Sequence, residues 1–228
     1  MSLALFDLDN TLIAGDSDHG WGEFLVEKAL VDPVYYKEQN DRFYADYEAG
    51  ALDIQAYLKF SLEPLTRFDA AALAQLHREF MDAKIAPLRL PRAEALLAEH
   101  RARGDYLVVI TSTNGFITEP IARELGVDDI LATNAEKVDG RYTGELLGTP
   151  CYQEGKVTRL NAWLKTYPGD MRGSYFYSDS INDAPLLGKT SAEQLQQADF
   201  KVSWHPYPLQ HGVSMDELED IKQFILKL

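Results

Sequence analysis

Two carboxylates, Asp7 and Asp9, stand two residues apart in Phe6-Asp7-Leu8-Asp9-Asn10-Thr11. Such a pair can divide one reaction, one carboxylate attacking as a nucleophile while the other carboxyl moves a proton. A second pair, Asp179 and Asp183, lies in Ser178-Asp179-Ser180-Ile181-Asn182-Asp183. Acids brought from two such places to one point could share a hard cation, and carboxylate, carbonyl and water oxygens suit Mg2+. Thr111-Ser112-Thr113-Asn114 combines hydroxyls with backbone N–H groups ahead of a helix. That combination can hold phosphate, and it also serves as ordinary helix capping. Lys156, in Glu154-Gly155-Lys156-Val157, falls at an expected helix start. A cation is mildly disfavoured there, which points to a task.

Three of these segments follow apolar runs: Leu3-Ala4-Leu5-Phe6, Leu107-Val108-Val109-Ile110 and Tyr175-Phe176-Tyr177. Short apolar runs bounded by turn residues read as buried strands. Strands are expected at 3–7, 106–111, 130–132, 174–178 and 200–203, with an Asp-Gly hairpin at 138–142. Helices are expected at 91–103, 117–125 and 156–165, and one opening near Asn182. A C-terminal helix is expected from Ser214, with Glu217 completing a capping box. Alternating strands and helices predict an α/β fold with a doubly wound parallel sheet. Ligands of such sheets bind outside the carboxyl ends of the strands, where all four motifs fall.

From about Asp16 to Ile85 the pattern is helical, with helices near 21–31, 34–49, 53–62 and 69–85. Gly15, Gly20 and Gly22 read as a flexible, hinge-compatible stretch. The expected organisation is a core of residues 1–15 and 88–228 with a helical cap, 16–87, inserted in it.

The net charge of −14 and the absence of a Lys/Arg-rich run argue against nucleic acid or an anionic membrane as partner. With 46% hydrophobic residues a sizeable core is expected. A single cysteine, Cys151, fits a reducing compartment, and a cytoplasmic location is the expectation. Asp7 and Asp9 interrupt any apolar leader, and no uninterrupted apolar stretch approaches a span of ~18 residues.

With Asp7-Leu8-Asp9-Asn10-Thr11, the Thr111 strand end, Lys156 and Asp179-x-x-x-Asp183 present in order, the chain resembles the haloacid dehalogenase superfamily of phosphohydrolases. The helical insert is similar to the cap of its phosphoserine-phosphatase-like branch. The segment Asp16 to Leu25 is similar to a bacterial subgroup described as histidinol-phosphatases. The resemblance implies that Asp7 attacks phosphorus to form an aspartyl-phosphate and that Asp9 acts as acid and then base. It implies Mg2+ held by the Asp7 carboxylate, the Asp9 carbonyl and Asp179. Thr111, Ser112, Lys156 and Asn182 would bind phosphate, and Asp183 would order the metal waters or Lys156. Thr111 stands where the family more often has serine, and Ser178 where a glycine commonly precedes the fourth-motif aspartate.

Asp16, Asp18, His19 and Trp21 follow the catalytic turn and are candidates for substrate contact. Acids beside aromatic rings suit a cationic organic group. The aromatics further along (Tyr35, Tyr36, Phe43, Tyr44, Tyr47, Tyr57 and Phe60) read as bundle core. The expected substrate is a small phosphorylated metabolite bearing an amine, histidinol phosphate first and phosphoserine second. A phosphotransferase or mutase using the same aspartates, and a non-catalytic phosphate binder, are the competing readings. The oligomeric state stays open.

Overall fold

The computed structural model describes residues 2–169, 171, 173–188 and 201–202. Its strands are β1 (Leu3–Phe6), β2 (Tyr106–Asn114), β3 (Asp129–Thr133), β4 (Ala135–Val138), β5 (Arg141–Leu146), β6 (Tyr175–Tyr177) and β7 (Lys201–Val202). Five form one sheet of order β3-β2-β1-β6-β7, parallel at every pairing. The chain moves outward from β1 through β2 to β3, then resumes on the other side of β1 with β6 and β7. The order therefore reverses between β1 and β6, and the crevice outside their carboxyl ends is the expected ligand site. Within it, Phe6 stands level with Val109 on one side and Tyr177 on the other.

Alternate residues of a strand face opposite sides of a sheet, and the core divides accordingly. Ala4, Phe6, Leu107 and Val109 join one apolar cluster with α5 (Pro91–Arg103) and α6 (Gly115–Leu125). Leu3, Leu5, Val108, Ile110 and Phe176 join another with Leu160 of α7 (Glu154–Leu164) and Leu186 of α8 (Ala184–Gly188). Burial on both faces is why β1 and the centre of β2 carry no alternation of polar and apolar residues. The Asp-Gly hairpin forms as expected, β4 pairing antiparallel with β5. Asp139 and Gly140 both take positive φ, 49° and 78°, as a two-residue hairpin turn requires.

Between β1 and β2 lie α1 (Ser17–Glu27), α2 (Pro33–Glu48), α3 (Ile54–Leu62) and α4 (Ala70–Phe80). The helix expected over 69–85 ends at Phe80, and a π turn (Met81–Ile85) and a 3-10 turn (Ala86–Leu88) follow. The helix expected at 21–31 starts earlier, because the Asp16 side chain accepts the N–H groups of Asp18 and His19 and caps it. Gly20 and Gly22 therefore lie inside α1, not in a flexible stretch. At Gly22 a Cβ would fall 2.6 Å from the Asn40 side chain, so this glycine serves close approach of α2. The two connections into the insert run side by side: Ala14 N–H donates to Leu88 O (2.8 Å), and Ile13 bridges Arg89. Trp21, Phe24, Leu58, Leu62 and Phe80 of the insert belong to the same apolar cluster as Phe6 and Val109. Among the described residues no helix is long and apolar enough to cross a membrane. The expected C-terminal helix from Ser214 lies outside the described residues.

Candidate active site

Asp7 follows β1 directly, and its N–H donates to Tyr177 O (2.8 Å), tying the ends of β1 and β6 together. The chain then turns on Leu8, whose carbonyl accepts from Thr11, Leu12 and Ile13. Asn10 takes the left-handed conformation, φ 56°, that closes this turn. The turn delivers the Thr11 hydroxyl to Asp179. It donates to Asp179 Oδ1 (3.0 Å) and accepts the Asp179 N–H (3.2 Å). The second acid pair is thus fixed to the first across the point where strand order reverses.

Asp9 is held at both oxygens. Oδ1 accepts the Ser17 N–H (2.7 Å) and Oδ2 accepts the Thr113 hydroxyl (2.9 Å). Burial, and then the charge of Asp16, push its pKa up to about 7 despite these bonds. Asp16 and Asp18 also stand at about 7, mainly through burial. A carboxyl poised there can both give and take a proton near neutrality.

Lys156 is buried, and its Nζ lies 2.9 Å from Asp7 Oδ1 and 2.6 Å from Asp183 Oδ1. Burial works against the ammonium charge, but Asp183 and Asp7 override it and hold the pKa well above its ordinary value. Burial likewise drives the Asp7 carboxyl up, against the pull of Lys156. Asp183 is oriented in turn by the Ser178 hydroxyl, which donates to Oδ2 (2.7 Å). Ser178 thereby supplies a bond that a glycine could not. Lys156 reaches Asp7 because α7 starts tightly. Gln153 takes φ 48°, and Gly155 passes so close to Pro150 that a Cβ would meet its carbonyl oxygen at 1.9 Å.

Above Asp7 opens a cleft that, with the solvent space at its mouth, encloses about 540 Å³. Asp7, Asp9 and residues 111–113 line one part of it, and Asp16, Asp18 and His19 of the α1 start another. The β2–β3 register shifts between Ile110 and Asn114, and β2 runs on past the expected end at 111. Such irregularity re-aims side chains, and here Thr111, Ser112 and Thr113 all reach the cleft. Helix α2 supplies Asn40, Phe43, Tyr44 and Tyr47, and α3 supplies Tyr57.

Asp7, Asp9, Asp16, Asp18, His19, Thr111 and Ser112 of the expected site residues converge on the cleft, whereas Asp179, Asp183, Lys156, Asn182 and Trp21 do not line it. Trp21 is 2% exposed, packed among Phe24, Phe80 and Phe116, and takes no part in lining the cleft. Its large apolar ring is satisfied by the core. Asn182 spends its side chain elsewhere: Nδ2 donates to Tyr47 O (3.2 Å), and Oδ1 accepts from Tyr152 and Gln153 (3.2 Å each). It joins the 178–183 loop to the end of α2. Lys156 meets Asp7, not the open cleft. The converse error concerns aromatics read as core: Tyr44, Tyr47 and Tyr57 line the cleft and Tyr35 is exposed, whereas Tyr36, Phe43 and Phe60 do pack together, Phe43 also reaching the cleft. The spacing 40, 43, 44, 47 marks one face of a helix, but spacing alone cannot say whether that face meets core or cleft. Thr113 was read only as one hydroxyl of a phosphate-holding run; that it donates to Asp9 had no signal in the sequence.

The chain matches the haloacid dehalogenase-like hydrolase family over residues 4–188. It belongs to that family. It is 49% identical over 190 residues to a histidinol-phosphatase of Neisseria meningitidis, covering 82% of this chain and 86% of that protein. It is a phosphatase of the haloacid dehalogenase-like hydrolases. A solved protein of unknown function from Bordetella pertussis is 39% identical, with a TM-score of 0.80 over 97% of this chain and 94% of that one. A substrate-bound phosphoserine phosphatase shares the fold at 17% identity, with a TM-score of 0.63 over 98% of each chain.

This haloacid dehalogenase-like site also bears on a metal. Among the described residues no three His, Cys, Asp or Glu side chains gather closely enough to hold an ion. Asp7 and Asp179 offer two carboxylates at neighbouring strand ends, and Mg2+ is typically held by one or two carboxylates with water and substrate oxygens. The donor set fits that ion. Among the described residues Lys156 is the one buried lysine; it is paired with Asp7 and Asp183, while Asp179 and Asp9 add negative charge around Asp7, so a further cation would relieve the crowding.

Proposed function

We propose that this phosphatase hydrolyses a small phosphomonoester carrying a cationic nitrogen group, with histidinol phosphate as the first candidate. One observation carries the reading. Among the described residues the cleft is lined by four aspartates, one histidine and four aromatic rings, and by no lysine or arginine. A protonated amine or imidazole finds acceptors and ring faces there. Phosphoserine brings a carboxylate that would face these acids, which places it second. The name of the Neisseria relative supports the same choice.

In this reading Asp7 attacks phosphorus and the leaving oxygen departs in line, giving an aspartyl-phosphate. Asp9 protonates that oxygen, then takes the proton of the water that hydrolyses the intermediate. Ser17 and Thr113 hold its two oxygens in place for both steps. Thr111 and Ser112 donate to phosphate oxygens, and Lys156 with Asp183 orients the Asp7 carboxylate and balances its charge. Mg2+, held by Asp7, Asp179 and the Asp9 carbonyl, would offset repulsion between nucleophile and phosphate and favour ionised Asp7. Residues 16–87 serve as the cap that closes over the substrate and carries its selectivity, with Asp16, Asp18 and His19 on its inner side.

The test is phosphate release by wild type and Asp7→Asn, with Mg2+ and with chelator, over histidinol phosphate, phosphoserine, choline phosphate and sugar phosphates. Turnover selective for histidinol phosphate, lost in Asp7→Asn and in chelator, is expected. Preference for phosphoserine, or activity surviving Asp7→Asn, would sink the reading. Oxygen-labelled water entering the released phosphate separates hydrolysis from transfer.

A further inference from the structure

The cleft carboxylates are not equivalent. Asp9 has both oxygens engaged, Asp16 accepts two N–H groups as the cap of α1, and Asp7 is paired with Lys156. Asp18 differs. It lines the cleft, it is 9% exposed, and its Oδ1 has no hydrogen-bond partner. The Tyr57 hydroxyl pulls the pKa of the same carboxylate down against burial, and the Tyr57 ring stands edge-on to Phe43 at 5.3 Å, both rings lining the cleft with Asp18. A buried acceptor left without a donor is costly, and the protein keeps it only where something supplies the donor.

Resting on the function proposed above, we infer that Asp18, oriented by Tyr57, accepts an N–H donor from the cationic nitrogen of the substrate. The pair then selects for nitrogen cations that carry N–H, such as a protonated imidazole or a primary ammonium. A fully methylated ammonium still enjoys the ring faces, but it presents only C–H groups and leaves Oδ1 unsatisfied. A neutral group leaves both the charge and the acceptor unmet.

The experiment compares kcat/KM for histidinol phosphate, ethanolamine phosphate, choline phosphate and neutral p-nitrophenyl phosphate in wild type, Asp18→Asn and Tyr57→Phe. Wild type is expected to favour ethanolamine phosphate over choline phosphate by at least tenfold. In Asp18→Asn the ratio of N–H-bearing to neutral substrate falls at least tenfold, and in Tyr57→Phe severalfold. Equal losses on all four substrates, or a wild type that prefers the methylated cation, overturn the assignment. Circular dichroism checks that each variant folds, and Tyr57→Phe decides the matter if Asp18→Asn does not. The two proposals fail separately. Histidinol phosphate turnover with unchanged ratios in the variants rejects the role of Asp18 alone. Ethanolamine phosphate turnover that is selectively lost in Asp18→Asn, with histidinol phosphate ignored by wild type, rejects only the named substrate.

Discussion

Replacing Gly155 by alanine tests the account of how Lys156 is delivered to the nucleophile. Gly155 lies in the first turn of α7 and does not take a positive φ. On helix propensity alone, alanine would stabilise such a position, by up to about 1 kcal/mol. The structure reverses that sign. The added methyl carbon would lie 1.9 Å from the Pro150 carbonyl oxygen and 3.1 Å from its carbon. Backbone meets the methyl group here, so the start of α7 must retreat by about an ångström or more to restore van der Waals contact. Overpacking of this kind typically costs about 1–3 kcal/mol, which outweighs the propensity gain. The neighbouring Lys156 would be drawn from its positions 2.9 Å from Asp7 and 2.6 Å from Asp183. Misplacement on that scale near a reacting group can cost on the order of 10²-fold in rate. Urea denaturation should therefore show lower stability, and phosphate release a kcat/KM down by about that factor. An alanine variant as stable as wild type with undiminished kcat/KM would refute the reasoning.

Asn182→Ala removes the bond to the Tyr47 carbonyl and those from Tyr152 and Gln153. It is expected to lower stability by about 1–3 kcal/mol and to raise amide exchange at the end of α2, read by thermal unfolding and hydrogen exchange. Unaltered exchange around Tyr47 would deny it the linking role. For pH, Asp9, Asp16 and Asp18 have folded-state pKa values of about 7 against an ordinary 3.8. An acid raised in this way binds more protons folded than unfolded between those values, so it stabilises at low pH and loses that contribution as pH rises through about 7. In chelator the melting temperature should fall from pH 5 to pH 8, and Mg2+ should flatten the fall. A melting temperature that rises over that interval in chelator would contradict it.

Much of the scaffold was legible in local order. The apolar runs at Leu3–Phe6 and Tyr175–Tyr177 could be little but buried parallel strands, and an acid placed directly after such a run must lie where the sheet opens. The Asp139-Gly140 turn was equally local, because few dipeptides accept positive φ at both positions. The cap of α1 was missed because Gly20 and Gly22 were read as a flexible stretch, which set the expected helix start near 21. The Asp16 bonds to Asp18 and His19 make that segment a helix, and Gly22 is there to admit Asn40.

What the sequence alone determined is the chemistry at the strand ends: which residue types stand there, and in what order. Those features depend on neighbours a few residues away. Which side chains complete the site was decided only by tertiary structure. Trp21 and Tyr57 are both aromatic residues on insert helices, yet one is closed into the core and the other faces the cleft beside Asp18. Asn182, adjacent to Asp183, turns to Tyr47 on a helix 135 residues earlier in the chain. Helical spacing makes a face, but what that face meets depends on how helices distant in sequence pack together, and no local pattern records it.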